Sequence, residues 1–265
     1  MKVHFIGIGG IGLSALARFL NFDGHKVSGS DMKSSLITKA LEDEGIKVSC
    51  PQSASNMQDD FDLVIYSAAV TDENPELIEA RLKQIRTLSR KEALPIILGD
   101  KKNYCVAGAH GKSTTTAILA SILESSALIG AISKDFGSNF RYVNKLIAFE
   151  ADESDASFLL SNPYCAIVTN AEPEHMEYYH YDYDKFYGAY ERFISLAKKR
   201  VVNGEDKDIQ KLKIEDATYL YPSKDIKNLC YTLKNNQPCT RFDLKDLGTF
   251  EVWGFGFHIA SNASL

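Results

Sequence analysis

Val3-His4-Phe5-Ile6-Gly7-Ile8-Gly9-Gly10-Ile11-Gly12 carries an apolar run straight into a glycine cluster. The residues that follow, Ile11–Phe22, repeat apolar side chains at helical spacing. The pattern predicts a strand, a tight glycine turn and a helix. Lys26–Ser30 then reads as a second strand, Leu36–Glu44 as a helix, and Asp62–Tyr66 as a buried strand ending at Ser67. Asp72, Asn74 and Pro75 mark the start of a further helix over Glu73–Gln84. This alternation predicts a parallel sheet with helices on both faces.

The rhythm pauses over Leu94–Lys102, where Pro95 and Gly99-Asp100-Lys101-Lys102 read as a linker. It resumes with strands at Tyr104–Ala107, Leu146–Phe149, Ala166–Thr169 and Val201–Val202, and with helices at Lys112–Glu124 and Asp184–Lys199. A cut near residue 98 gives two consecutive parallel-sheet α/β domains, a Rossmann-like domain over 1–97 and a second domain over 98–265. Phe257–Leu265 reads as the opening turns of a helix, so the expectation is a chain that belongs to something longer.

Composition narrows the function classes. Of the 265 residues, 45% are apolar and 25% charged, which suffices for a core and excludes disorder as the main state. No stretch approaches the ~20 consecutive apolar residues of a membrane-spanning helix. The N-terminus shows no signal-peptide architecture. A net charge of −5 without a basic stripe argues against a nucleic-acid scaffold. The five cysteines include no C-x-x-C pair and are expected to be reduced thiols in a cytoplasm. Neither nucleic acid nor membrane is an expected partner.

Gly7-Ile8-Gly9-Gly10-Ile11-Gly12 fits G-x-G-x-x-G, and Asp31 follows nineteen residues after the last glycine, at the end of the next strand. Glycines there let the backbone approach a pyrophosphate, which rests on the amides of the helix N-terminus, while the acid can accept from a ribose. A nicotinamide dinucleotide and a nucleotide sugar satisfy the same amides equally, and a ligand-free turn has the same sequence.

Ala107-Gly108-Ala109-His110-Gly111-Lys112-Ser113-Thr114-Thr115 is the stronger signal. Val106 stands where the full P-loop pattern has its first glycine, so the match is to the Gly-Lys-Ser core. The chemistry still works, because amides cradle phosphates, Lys112 reaches the outer phosphates, and the Ser113 hydroxyl can ligate Mg²⁺. Hydroxyl-rich helix capping is the plainer alternative. A metal-holding carboxylate is expected at a neighbouring strand end, and Glu150-Ala151-Asp152-Glu153-Ser154-Asp155 stands there. His175, in the loop after the Ile167–Thr169 segment, is a candidate for a second metal or a substrate contact.

Taken together these segments resemble the Mur ligase family. The resemblance rests on Gly7–Gly12 with Leu13-Ser14, Val27–Asp31, Ser67–Val70 with Asn74-Pro75-Glu76, and Ala109–Thr115. It continues through Gly137-Ser138-Asn139, Glu150–Phe158, Thr169–His175, and Gly256-Phe257-His258 with Asn262. Departures from the family's pattern are Ala109 and Ser113 where threonines are common, and Glu174 where aspartate is usual. Cys50-Pro51-Gln52 also replaces a Gly-His pair, and Ile259 replaces an asparagine.

The resemblance implies ATP-dependent amide-bond formation in peptidoglycan precursor synthesis, joining L-alanine to the lactyl carboxylate of UDP-N-acetylmuramate through an acyl phosphate. It also implies a third, C-terminal domain that this stretch does not contain, without which the chain is expected to be weakly active or inactive. Gly9, Gly10, Ile11, Gly12, Asp31, Ser67 and Asn139 would hold the sugar nucleotide. Gly108, Ala109, His110, Gly111, Lys112, Ser113 and Thr114 would hold ATP, with His258 and Asn262 near its adenine or ribose. Ser113 and Glu150 would hold Mg²⁺, with Glu150 favoured over Glu153 because it ends the strand, and His175 would hold a second ion. Lys112, Glu150 and His175 form the implied catalytic set. A nicotinamide dehydrogenase would leave the second cluster unused. A ligase for a pre-made peptide and a non-catalytic sugar-nucleotide-binding fragment are the remaining alternatives.

Overall fold

A computed structural model of the chain describes residues 1–99 and 101–265; Asp100, part of the expected linker, lies outside the described residues. Two compact units are present, Met1–Gly99 with Leu128–Tyr142, and Asp100–Ala127 with Val143–Leu265. The chain thus does not divide at a single cut, since residues 128–142 pack with the first unit.

The elements of the first unit follow the sequence pattern closely. They are β1 (Lys2–Ile6), α1 (Ile11–Phe22), β2 (Lys26–Ser30), α2 (Leu36–Asp43), β3 (Lys47–Ser49), β4 (Leu63–Tyr66), α3 (Pro75–Leu82), β5 (Thr87–Ser89) and α4 (Arg90–Leu98). The sheet runs β3-β2-β1-β4-β5 with every neighbouring pair parallel. Strand order reverses between β1 and β4, which opens a crevice at their C-terminal ends, directly before α1. Val3 and Phe5 on one face of β1 and His4 and Ile6 on the other are all buried, as a central parallel strand requires.

The expected linker is a helix as far as Leu98. The Ser89 hydroxyl accepts from the Glu92 amide while the Glu92 side chain accepts from the Ser89 amide, a capping box that starts α4. Pro95 removes one helical hydrogen bond, yet the fully buried Leu94, Ile97 and Leu98 hold the helix together. Proline read as a breaker was outweighed by burial.

Further along the chain come β6 (Lys102–Ala107), α5 (Lys112–Ile122), β7 (Ser126–Ser133), β8 (Ser138–Arg141), β9 (Leu146–Glu150), β10 (Pro163–Val168), α6 (Tyr183–Leu196), β11 (Lys199–Asn203) and β12 (Thr218–Leu220), of which β8 and most of β7 belong to the first unit and the others to the second. The sheet of the second unit has the order β12-β11-β10-β6-β9, with all neighbouring pairs parallel. Here β6 lies between β10 and β9, so the glycine turn after β6 is flanked by two other strand ends.

A third, antiparallel sheet departs from the all-parallel expectation. After α7 (Pro222–Asp225), β13 (Ile226–Lys234), β14 (Gln237–Leu244) and β15 (Thr249–Trp253) form it, and α8 (Phe257–Ser264) packs on it through Ala260, with Ile226, Phe242 and Leu244 beneath. Asn235 and Asn236 both take left-handed φ values, +52° and +59°, in the two-residue turn between Lys234 and Gln237. All five cysteines are free, and burial pushes the thiols of Cys105 and Cys165 up to about 12 and about 11. No helix of the described residues is long and apolar enough to cross a membrane.

A buried polar network braces the first unit. Glu76, fully buried, accepts from Ser30 Oγ, from the Ser53 amide at 3.1 Å and from Asn56 Nδ2 at 2.6 Å, and faces His4 Nε2 at 3.5 Å. Burial pushes its carboxyl up, but the contacts with His4, Ser30 and Asn56 outweigh that and hold it below its ordinary value of 4.5. A depressed folded value means the network contributes fully above the ordinary range and loses its contribution as pH falls through the folded value. Glu76→Gln is therefore expected to cost about 3 kcal/mol near neutral pH. The gap from wild type should narrow in acid, and urea unfolding at both pH values measures it.

Candidate nucleotide and phosphate sites

The first site is built on the turn from β1 to α1. Gly10 caps α1 without a side-chain hydrogen bond, and the first helical bond runs from the Ser14 amide to Gly10 O at 2.8 Å. The amides of Ile11, Gly12 and Leu13 are thereby left for a ligand. Asp31, at the end of β2, accepts from the Gly9 amide at 2.8 Å, so it shapes the loop as well as flanking it. A cleft of about 680 Å³ runs along this edge, lined among others by Gly9, Gly10, Asp31, Ser67 and Asn74. Ser67 Oγ accepts from the Ala69 amide at 3.1 Å.

Asn139 belongs to the same compact unit but its amide is occupied. Its Nδ2 donates to Ile11 O and to Ser14 Oγ, the latter at 3.0 Å, while its Oδ1 accepts from Arg18 Nη1 at 2.7 Å. Arg18 is itself buried and held by Glu44 at 2.7 Å. Asn139 therefore fixes the first turns of α1 from behind.

The second site is built on the turn from β6 to α5. Gly108 takes φ +140°, and a β-carbon there would lie 2.2 Å from Thr169 Oγ1 and 2.9 Å from Asn170 O. Only glycine lets the turn press against the end of β10. Thr169 Oγ1 donates to His110 O at 2.6 Å, and Asn170 both donates to His110 O at 2.8 Å and accepts from the His110 amide at 3.0 Å. The His110 ring faces Glu174 at 3.3 Å and Glu172 at 3.7 Å.

Lys112, the first residue of α5, folds back over the loop. Its ammonium donates to Gly108 O at 2.6 Å and to Glu153 Oε1 at 2.9 Å. Glu153 is buried, and its Oε2 has no hydrogen-bond partner. Burial pushes the Glu153 carboxyl up, more than Lys112 pulls it down. Ser113 Oγ donates to Glu150 Oε1 at 3.1 Å. The structure thus brings Lys112, Ser113, Glu150 and Glu153 together at one sheet edge.

His175 and His258 are not part of that cluster. His175 is exposed at φ +51° in the loop after β10, and no contact among the described residues joins it to Ser113 or Glu150. No group of three or more His, Cys, Asp and Glu side chains gathers as a metal site among the described residues. His258 is exposed in the first turn of α8. Asn262 lies against the phosphate loop, its Oδ1 being 2.7 Å from where a β-carbon of Gly111 would stand, and its carbonyl accepts from Thr115 Oγ1 at 3.4 Å. Sequence reasoning missed the grip of Thr169 and Asn170 on His110 and the pairing of Lys112 with Glu153. Both join segments about 40 to 60 positions apart, so only the parallel strand order could have suggested them.

Two strand–glycine-turn–helix motifs, the second carrying a lysine, a serine and strand-end carboxylates, define an α/β architecture with a Rossmann-like turn and a P-loop-type turn. Residues 2–102 match the Mur ligase family catalytic domain and residues 106–264 the Mur ligase middle domain, so the chain belongs to the Mur ligase family. It is 58% identical over its whole length to a UDP-N-acetylmuramate–L-alanine ligase of Campylobacter curvus, covering 60% of that protein. It is 48% identical over its whole length to one of Helicobacter pylori, covering 59%. The crystal structure of a UDP-N-acetylmuramate–alanine ligase from Thermotoga maritima superposes with a TM-score of 0.83 at 29% identity, over 100% of this chain and 63% of that one. The chain spans about 60% of the length of the curated relatives it matches.

Gly108→Ala should cost about 2–4 kcal/mol through strain and the clash with Thr169. Gly188→Ala, inside α6 with nothing within 4 Å of the added carbon, should be neutral or slightly stabilising. Chemical denaturation of the two variants side by side checks the contrast.

Proposed function

We propose that this chain supplies the sugar-nucleotide and ATP sites of a cytoplasmic UDP-N-acetylmuramate–L-alanine ligase. The observation that carries this reading is the paired geometry at the phosphate loop, Lys112 with Glu153 and Ser113 with Glu150, in a chain 58% identical to an enzyme of that name. In this reading the α1 amides take the diphosphate of UDP-N-acetylmuramate, with Asp31 and Ser67 lining the cleft. The turn from Gly108 to Thr114 takes the phosphates of ATP.

The chemistry asks for positioning and charge neutralisation rather than a side-chain nucleophile. The lactyl carboxylate of the sugar nucleotide attacks the γ-phosphorus of ATP, ADP leaves, and an acyl phosphate forms. The amine of L-alanine then attacks the acyl carbon, phosphate leaves, and a proton is lost from nitrogen. Lys112, already anchored over the loop, would swing its ammonium onto the transferring phosphoryl oxygens. Mg²⁺ fits the donor set of Ser113 and Glu150, a hydroxyl in the first turn of α5 and a carboxylate at the end of β9, and would supply neutralisation of phosphate charge. We assign His175 to a second ion or to the substrate carboxylate.

Calorimetry with UDP-N-acetylmuramate and with NADH tests the first site, and preference for NADH would overturn the reading. For the second, Lys112→Ala in the protein at its full encoded length should lower turnover by ~10³-fold or more while sugar-nucleotide binding stays nearly intact. The readout is phosphate release requiring both UDP-N-acetylmuramate and L-alanine. A tripeptide acting as the better acceptor would reassign the enzyme to peptide ligation.

A further inference from the structure

We propose that Arg90 is a diphosphate-binding residue of the first site, an inference that rests on the sugar-nucleotide reading of that site. Arg90 is the first residue of α4 and lies far in sequence from the glycine turn. Its guanidinium nevertheless rests against Gly12 in the first turn of α1. A β-carbon at Gly12 would stand 3.2 Å from Arg90 Nε, 3.4 Å from Nη2 and 3.5 Å from Cζ. The third glycine of the motif thus makes room for a cation.

That placement opposes ordinary electrostatics. The N-terminus of a helix carries partial positive charge and favours anions, so a cation in the first turn is unfavourable. Arg90 occupies two such positions, being the first residue of α4 and lying against the first turn of α1. Its Nε is buried without a hydrogen-bond partner, and among the described residues no carboxylate pairs with it. The neighbouring acid, Glu92, is committed to the Ser89 cap at 2.8 Å and 2.6 Å.

One kind of ligand resolves all of these costs together. A diphosphate seated on the Ile11, Gly12 and Leu13 amides would bring negative charge to the same turn that Arg90 touches. The guanidinium would then neutralise one phosphate while the amides hold the other. Arg90 is a binding residue in this assignment, and Gly12 sets how closely it can approach.

The test uses the 265-residue chain and its Arg90→Met and Arg90→Lys variants, with UDP, inorganic pyrophosphate and uridine as separate probes in calorimetry. Arg90→Met should weaken UDP and pyrophosphate binding by ~10- to 100-fold, the range of a charge-assisted contact. Uridine binding should be unchanged, and Arg90→Lys should fall between wild type and Arg90→Met. The ligand-free melting temperature of Arg90→Met should equal or exceed that of wild type, because an unpaired cation has been removed. Equal UDP affinity in wild type and Arg90→Met, or a ligand-free variant that melts several degrees lower, would overturn the assignment. If wild type binds NADH and not UDP, the sugar-nucleotide reading fails. The pyrophosphate arm still decides the role of Arg90 in that case.

Discussion

The contact between Gly108 and the end of β10 is the constraint on which the phosphate site depends. Without a side chain, Gly108 allows Thr169 and Asn170 to take hold of the His110 backbone, and this fixes the path of the loop into α5. Lys112 and Ser113 are then presented from the first turn of α5 toward β9 and its acidic extension. Three parallel strands must end level with one another for this to occur. The order β10-β6-β9 achieves it, because the turn follows the middle strand.

The first unit solves the same geometric problem with different supports. Asp31 accepts from the Gly9 amide, and Asn139 holds α1 by Ile11, Ser14 and Arg18. Both are short polar side chains spent on backbone or on buried partners, where an unmade hydrogen bond would be costly. The rigidity of the glycine turn therefore comes from polar contacts around it, since glycines themselves supply none. Glu76 does similar work beneath the sheet, joining β1, β2 and the segment at 53–56 through one buried carboxylate.

Much of this was legible in the sequence because it is local. Ile11–Phe22 and Lys26–Ser30 are the observed α1 and β2 to the residue, since strand and helix periods differ sharply there. The Gly-Lys-Ser core and the strand-end acid were read from spacing, and Ser113 does meet Glu150. What was not legible is what depends on burial or on distant pairing. Pro95 reads locally as a break, although the burial of Leu94, Ile97 and Leu98 decides in favour of helix. The antiparallel sheet over 226–253 breaks the parallel rhythm, and its one local signal is Asn235-Asn236 between two apolar-polar alternations, a hairpin pattern. Sequence position favours Glu150 over Glu153, which lies past the strand end, and only the fold shows the Glu153 carboxylate buried against Lys112.

The two sites differ in how a cation is tolerated at a helix N-terminus. Lys112 is the first residue of α5, an adverse position, but it is compensated by the Gly108 carbonyl and by Glu153, both within hydrogen-bond distance. Arg90 stands at the equivalent position of α4, and among the described residues its Nε has no hydrogen-bond partner, the neighbouring Glu92 being committed to the Ser89 cap. A lysine on a flexible stem can be held in reserve by a buried acid and released to a phosphate. The planar guanidinium lying against Gly12 has little such freedom, so its compensation has to arrive with the ligand. The same physical conflict is thus answered internally at Lys112, by the Gly108 carbonyl and Glu153. At Arg90, in the proposed assignment, a bound diphosphate answers it.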